Sequence, residues 1–425
     1  MKILYISYYY PPNNHIAGIR SSKQVASLRQ LGYQVKVIAS KMQKGNFLIN
    51  KDYVPHQDDV YLNEIGNQSE SIRRSAALQN LKKFLQQNIF TNLILGIFIR
   101  LLLLIRNDVT NWHPRQNLAV ILNSIKDFKP NLIISTSGPI NNHIVASKLK
   151  DHFNAVWIAE YRDSWSFNPM SPFRANKYDP LTMLLRIKEK LILNNVNYVF
   201  GASKFITLYY SEIFRVKSLL VYAGWLEGNS THKNPSIIQR EGTTLNILHL
   251  GSMLHGRRPI KPILDMLKEN IQIRERFKFY FIGRDTSYHS ELLESYKDMS
   301  SSVILHDEIT SDQARAEGRN ADMLLLIMMD SKNEAHTVTG KIFEYIYLKK
   351  PIFCLDGYNS EASQLIKQYK LGHVFINIDE FRKFLLSFSS LENLSVVSES
   401  NRASFNSKKI LENAMSLILK DKEIK

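Results

Sequence analysis

The chain is poor in the features that mark several common chemistries. Among its 425 residues there is one cysteine, Cys354, so no intramolecular disulfide and no cysteine-based zinc site is expected, which fits a reducing compartment. "PPNNHIAG", after the opening strand pattern, has a single glycine, too few for the Gly-x-Gly-x-x-Gly turn of a dinucleotide-dependent oxidoreductase. No Asp-x-Asp pair is present to bind a diphosphate through a metal, so neither a metal nor a cofactor is expected. No secretory leader is legible, because Met1-Lys2 runs straight into a strand pattern. Long hydrophobic runs are also missing. The most apolar stretch, Leu93–Ile105, is interrupted by Arg100 and falls short of the roughly 20 residues a membrane span needs.

Acidic residues are scarce where basic ones gather. The formal charge is +16, and residues 71–106 hold six Lys or Arg and no Asp or Glu. That segment begins amphipathic, with Leu81, Phe84, Leu85 and Ile89 at helical spacing, and then turns apolar. A basic helix with an apolar face suits an anionic membrane surface; a buried helix of a large domain is the plain alternative. No recognition motif accompanies the charge, so nucleic acid is not the expected partner.

What is present is a regular beat. Strand-like runs fall at Lys2–Tyr9, Gln34–Ser40, Asn131–Ser137, Val156–Tyr161, Tyr198–Ser203 and Leu219–Tyr222. After the polar stretch "EGNSTHKNPSIIQREGTT" they resume at Leu245–Leu250, Lys278–Ile282, Val303–His306, Met323–Met329, Pro351–Leu355 and His373–Ile376. Helical patterns fill gaps between them, among them Ser21–Leu31, Asn142–Lys150, Pro262–Glu269, Ser290–Met299, Lys341–Leu348 and Glu361–Tyr369. Alternation of apolar strands and helices means parallel sheets covered on both faces. The expected fold is α/β, with two doubly wound Rossmann-like domains and an interdomain cleft for the substrate. The boundaries read as 1–228, 243–402 and a C-terminal helix in 403–425 that packs back on the first domain.

Five segments carry a family resemblance in order: "KILYISYYYPPNNHIAGIR", "LIISTSGPINNHIVASKL", "VWIAEYRDSW", "ILHLGSMLHGRRPIKPILDML" and "TGKIFEYIYLKKPIFCL". Together they resemble the GT-B glycosyltransferases of the retaining family 4 type, which serve bacterial capsule, lipopolysaccharide and exopolysaccharide synthesis. The resemblance implies transfer of a sugar, with retention, from a UDP- or GDP-type nucleotide-sugar to a glycan or lipid-linked acceptor. It implies work at the inner face of the cytoplasmic membrane, with residues 71–106 facing the lipid.

The chemistry needs cations where the leaving diphosphate gains charge. Arg257 and Arg258 follow a strand end, and Lys341 opens a helix whose dipole adds to its charge. Glu344, one turn on, either accepts the ribose hydroxyls, as the resemblance implies, or forms an i,i+3 pair with Lys341. The resemblance assigns Gly251, Ser252, Gly283, His336, Thr339 and Gly340 to the same donor site. Two positions depart from the family pattern: His336 stands where relatives carry the first Glu of a Glu-x7-Glu motif, and Ser252 where an arginine is common. Glu334 or His336 is the candidate substitute. In the N-terminal half, the Asn13–Gly18 loop lets backbone approach the ligands, and Arg20 adds charge at the helix start. Arg162 and Asp163 end a strand and serve acceptor positioning or proton transfer, or pair with each other. Two other readings share parts of this pattern. A nucleotide-sugar epimerase has the same fold but lacks its acidic motif here; a membrane-associated scaffold leaves Arg257, Arg258, Lys341 and Glu344 unexplained.

Overall fold

The computed structural model describes residues 1–12, 16–41, 56–63, 89–106, 114–169, 176, 178–227, 236–240, 242–253, 260–284, 293–296, 299, 301–328, 335–336, 338–394 and 397–422. The chain forms two units, one of Met1–Ala223 with Ile410–Lys425 and one of Gly224–Lys409.

The first unit is built on a parallel sheet of β1 (Lys2–Ser7), β2 (Gln34–Lys41), β3 (Val60–Asn63), β4 (Leu132–Thr136), β5 (Val156–Tyr161), β6 (Tyr198–Gly201) and β7 (Ser218–Leu220). The order is β3-β2-β1-β4-β5-β6-β7. Its helices are α1 (Ile16–Gln30), α2 (Ile89–Arg106), α3 (Pro114–Ile125), α4 (Asn141–Phe153), α5 (Pro180–Ile192) and α6 (Lys204–Ile213). Side chains alternate across the central strand: Leu4 and Ile6 enter the core with Ile133 and Trp157, while Ile3 and Tyr5 enter another with Val37 and Ile134. Both faces are therefore buried, and this is why β1 and β4 read as unbroken apolar runs.

The second unit repeats the plan with β8 (Leu245–Leu250), β9 (Phe277–Ile282), β10 (Val303–His306), β11 (Met323–Ile327), β12 (Ile352–Leu355) and β13 (Gly372–Phe375). The strands are parallel, in the order β10-β9-β8-β11-β12-β13. The accompanying helices are α7 (Lys261–Glu269), α8 (Ile271–Arg276), α9 (Ser311–Asn320), α10 (Lys341–Leu348), α11 (Glu361–Gln368), α12 (Ile378–Ser387) and α13 (Glu399–Ser404). A last helix, α14 (Ser407–Lys422), sends Leu411, Ala414, Met415 and Ile418 into the first unit's core. In both sheets the chain reverses direction of growth beside its first strand, between β1 and β4 and between β8 and β11. Ligands of doubly wound sheets bind outside the carboxyl ends of the strands at that point.

Two expectations change. Helix α1 starts at Ile16, so Gly18 lies buried in its first turns and not in a loop. Nothing in "IAGIR" stops a helix, and one glycine costs only about 1 kcal/mol relative to alanine. The short edge strand β3 and helices α3, α5, α6, α8, α9, α12 and α13 have no counterpart in the sequence reading, while half of Ser290–Met299 lies outside the described residues.

Candidate functional site

The second unit gathers its polar groups at the carboxyl ends of β8, β9 and β11. Lys341, the first residue of α10, extends its ammonium to His249 Nε2 at 3.1 Å and to the Ser252 carbonyl oxygen at 3.2 Å. His249 is fully buried on β8, and its Nδ1 lies 3.0 Å from the Leu325 carbonyl oxygen on β11. A carbonyl only accepts, so Nδ1 carries the ring proton and Nε2 turns its lone pair to the lysine. The imidazole is neutral in this arrangement and orients Lys341 without cancelling its charge. Tyr345 braces the same corner: its hydroxyl donates to Leu325 O at 3.1 Å and accepts the Leu250 amide at 2.9 Å.

Two glycines make this corner possible. Gly251 has φ +103°, and a Cβ there would lie 2.6 Å from Lys341 Cε. At Gly283 a Cβ would lie 2.3 Å from the Gly251 carbonyl oxygen. Any side chain at either position forces the two strand ends or the lysine apart. Thr339 and Gly340 form the turn into α10, and no side chain caps that helix. Its N-terminal end therefore adds partial positive charge beside the ammonium.

Glu344 lies one turn further along α10. Its carboxylate is held by Arg315 of α9, through Nε at 3.0 Å and Nη2 at 2.9 Å. Arg315 also donates to the Leu226 carbonyl at 2.9 Å and stacks over Tyr347 at 4.5 Å. The carboxylate thus has a fixed direction and is a hydrogen-bond acceptor with 30% of its side chain exposed. His336 lies at the surface; partial burial lowers its pKa, opposed by the Glu361 carboxylate. Arg257, Arg258 and Glu334 lie outside the described residues.

In the first unit the carboxyl ends of β1, β4 and β5 carry a different network. Arg20 does not offer its charge to a ligand as expected. It is 6% exposed, ion-paired to Glu160 of β5, and bonded to the Val221 carbonyl at 2.7 Å. Gln24 donates to the same carboxylate at 3.0 Å and accepts from the Tyr5 hydroxyl at 2.6 Å. A buried carboxylate needs such a cation, which explains why Arg20 turns inward. Ser7 Oγ lies 2.9 Å from Ser21 Oγ and receives a hydrogen bond from Thr136 at 3.2 Å.

Arg162 and Asp163 follow β5 and pair with each other at 3.0 Å, both about half exposed. The loop behind them is anchored, with Trp165 and Phe167 in the core and the Ser166 hydroxyl and amide bound to Glu189 of α5. Tyr210 donates to the other Glu189 oxygen at 2.7 Å. Full burial pushes the Glu189 pKa up, against these hydrogen bonds.

Sequence reasoning missed His249, Arg315 and Tyr345. The signal for His249 was a titratable residue in a largely apolar strand, two positions before Gly251. Arg315 gave no local signal, because its partner lies 29 positions away. Among the described residues no cluster of three or more His, Cys, Asp or Glu could hold a metal.

No protein-family model and no curated protein matches the sequence. Solved structures do match. Sucrose-phosphate synthase from Thermosynechococcus elongatus aligns over 99% of this chain and 98% of its own, at 13% identity and TM-score 0.62. The lipopolysaccharide outer core galactosyltransferase WaaB aligns over 99% and 100%, at 12% identity and TM-score 0.55. UDP-GlcNAc 2-epimerase from Methanocaldococcus jannaschii aligns over 98% and 99%, at 13% identity and TM-score 0.52. Identities this low speak to architecture, and over nearly its full length this chain has the two-domain, Rossmann-like GT-B fold.

Proposed function

We propose that the chain is a glycosyltransferase that moves a sugar from a nucleotide-sugar to a glycan or lipid-linked acceptor. One observation carries the reading: Lys341, oriented by a buried neutral imidazole at the open end of α10, with the Arg315-held Glu344 one turn away. A UDP- or GDP-type donor matches this pair, its diphosphate meeting the ammonium and its ribose hydroxyls donating to the carboxylate. Charge grows on the diphosphate as the glycosidic bond breaks, so a fixed cation there favours the transition state over the bound donor. In the retaining course that the family resemblance implies, the leaving phosphate takes the acceptor proton on the same face, and no enzyme nucleophile is needed. Asp163 or Arg162 would orient the acceptor. Neither a metal nor a cofactor enters this scheme. A role in bacterial surface polysaccharide synthesis, at the inner face of the cytoplasmic membrane, belongs to the same reading.

The test is release of nucleoside diphosphate from a panel of sugar nucleotides, with and without glycan acceptors. Acceptor-dependent release supports the proposal, and no release from any donor refutes it. The second reading is a nucleotide-sugar epimerase, which the likeness to UDP-GlcNAc 2-epimerase supports. It would interconvert donor sugars with no acceptor present.

A further inference from the structure

A cavity of about 340 Å³ opens in the first unit at the amino ends of β6 and β7. Ligands of doubly wound sheets bind at the carboxyl ends, so this is the opposite edge. The last turn of α5, the residues just past α6 and those leading into the two strands line it. Its volume is that of a small-molecule pocket. None of the residues given a part in the transfer chemistry is among those that line it.

The wall has two kinds of surface. Lys190, Arg215 and Lys217 bring three positive charges, and no acid is among the described residues that line the cavity. Leu193, Val196, Phe214 and Val216 make its apolar part. Cations near helix carboxyl ends are common, because the last carbonyls carry partial negative charge. That accounts for Lys190 in the last turn of α5 and for Arg215 just past α6. It does not account for Lys217, which precedes β7, or for the meeting of all three at one hollow. Neither Lys190 nor Arg215 has a side-chain partner among the described residues. Asn197 adds a neutral donor: its Oδ1 accepts the Trp157 amide at 2.9 Å, so its NH2 group remains to donate.

Arg215 stands in left-handed backbone, at φ +55°, where glycine or asparagine is the usual residue past a helix. An arginine there strains the fold, and no described contact of its side chain offsets the strain. Lys217 is the engaged member of the trio. It meets Asp421 of α14 at 2.6 Å, and the Tyr198 hydroxyl donates to the same carboxylate. An anion in the cavity would compete with Asp421 for this ammonium. A phosphate monoester suits the set better than a carboxylate does, because it brings three acceptor oxygens and a charge of about −1.5 to −2 at neutral pH. Inorganic phosphate alone would leave the apolar part uncovered.

We infer that this cavity is a second ligand site, for a soluble phosphorylated small molecule with an apolar body. The phosphate meets the cations and the body covers the apolar part. Isothermal titration of the full chain with phenyl phosphate tests it, with phenol and inorganic phosphate as the two halves of the probe. Phenyl phosphate should bind at least about tenfold more tightly than either half, and less tightly as salt rises. Lys190→Gln and Arg215→Asn should each weaken binding about three- to tenfold. Both side chains are exposed and asparagine tolerates left-handed backbone, so melting temperatures should match wild type. If one variant misfolds, the other decides. Asp421→Asn keeps an acceptor for Tyr198 while releasing Lys217, and should tighten binding about twofold or more. Lys341→Met should leave the phenyl phosphate titration unchanged. Absence of binding by wild type overturns the inference, as does equal binding by wild type and a folded Lys190→Gln or Arg215→Asn chain. Loss of binding in Lys341→Met also overturns it, by moving the phosphate to the second unit. None of these outcomes depends on sugar transfer, so this inference and the proposed activity fail separately.

Discussion

Replacing His249 by phenylalanine removes an acceptor from Lys341 and keeps a planar ring in the same strand. In the wild type the ammonium has two described neutral anchors, His249 Nε2 at 3.1 Å and Ser252 O at 3.2 Å. A hydrogen bond to a charged donor contributes about 1.5–3 kcal/mol. Because Ser252 remains, the lower figure applies, and nucleoside diphosphate affinity should fall about tenfold. Lys341→Met deletes the charge itself and should cost roughly 10- to 150-fold. The decisive quantity is their coupling. If His249 acts through Lys341, the second substitution should add less than about twofold in the Lys341→Met background. Isothermal titration with UDP and GDP measures all four corners of this cycle. The substitution also takes a donor from Leu325 O, which keeps Tyr345 at 3.1 Å, so melting temperatures belong beside the titrations. His249→Gln offers an amide oxygen near the place of Nε2 and should recover affinity to within about threefold. Equal losses from His249→Phe with and without Lys341 would refute the idea that the imidazole works by orienting the lysine.

Glu344→Ala and Lys341→Ala should each lower turnover roughly 10- to 150-fold with circular dichroism unchanged, and Arg315→Met should raise KM by freeing the carboxylate. Gly251→Ala sets a methyl 2.6 Å from Lys341 Cε at φ +103°, so donor affinity by titration should drop more than melting temperature does. Acid should destabilise the first unit through His143, whose pKa full burial pushes down to about 3. The unfolded chain takes up that proton below about pH 6.5 and the folded one does not, so stability falls by up to about 1.4 kcal/mol per unit from pH 6.5 toward 3. Glu189, raised by burial, acts in the opposite direction, losing stability as pH rises above its ordinary value. The difference between wild type and His143→Asn melting curves across that range isolates the histidine, and a difference that does not vary with pH would exclude it.

Strands buried on both faces announce themselves, because "LNILHL" and "MLLLI" leave water no side to occupy. The doubly wound plan followed from that alternation. Helix α5 was harder: "PLTMLLRIKEKLI" has apolar residues on both its inner and outer faces, so periodicity did not separate it from a loop of mixed character. At the candidate site, Lys341 was legible from its place at a helix start, whereas Gly251 came from the family resemblance alone. What lay beyond reach was pairing across distance. Arg20 looked like a free cation at a helix start until Glu160, 140 positions later, claimed it. His249 gave no reading at all, because Lys341, whose ammonium meets its ring, lies 92 positions later.

The closing helix α14 sets an order of events during synthesis. The first unit's core contains Leu411, Met415 and Ile418, yet the 186 residues of Gly224–Lys409 come between them and the rest of that unit. At about 5–20 residues per second the ribosome needs roughly 10–40 s to make that interval. For that time the nascent first unit lacks one wall, with its apolar surface open to chaperones or to neighbouring chains. The second unit is contiguous and has no such wait. Shortening the chain by its last helix should therefore damage the fold of the half that was made first.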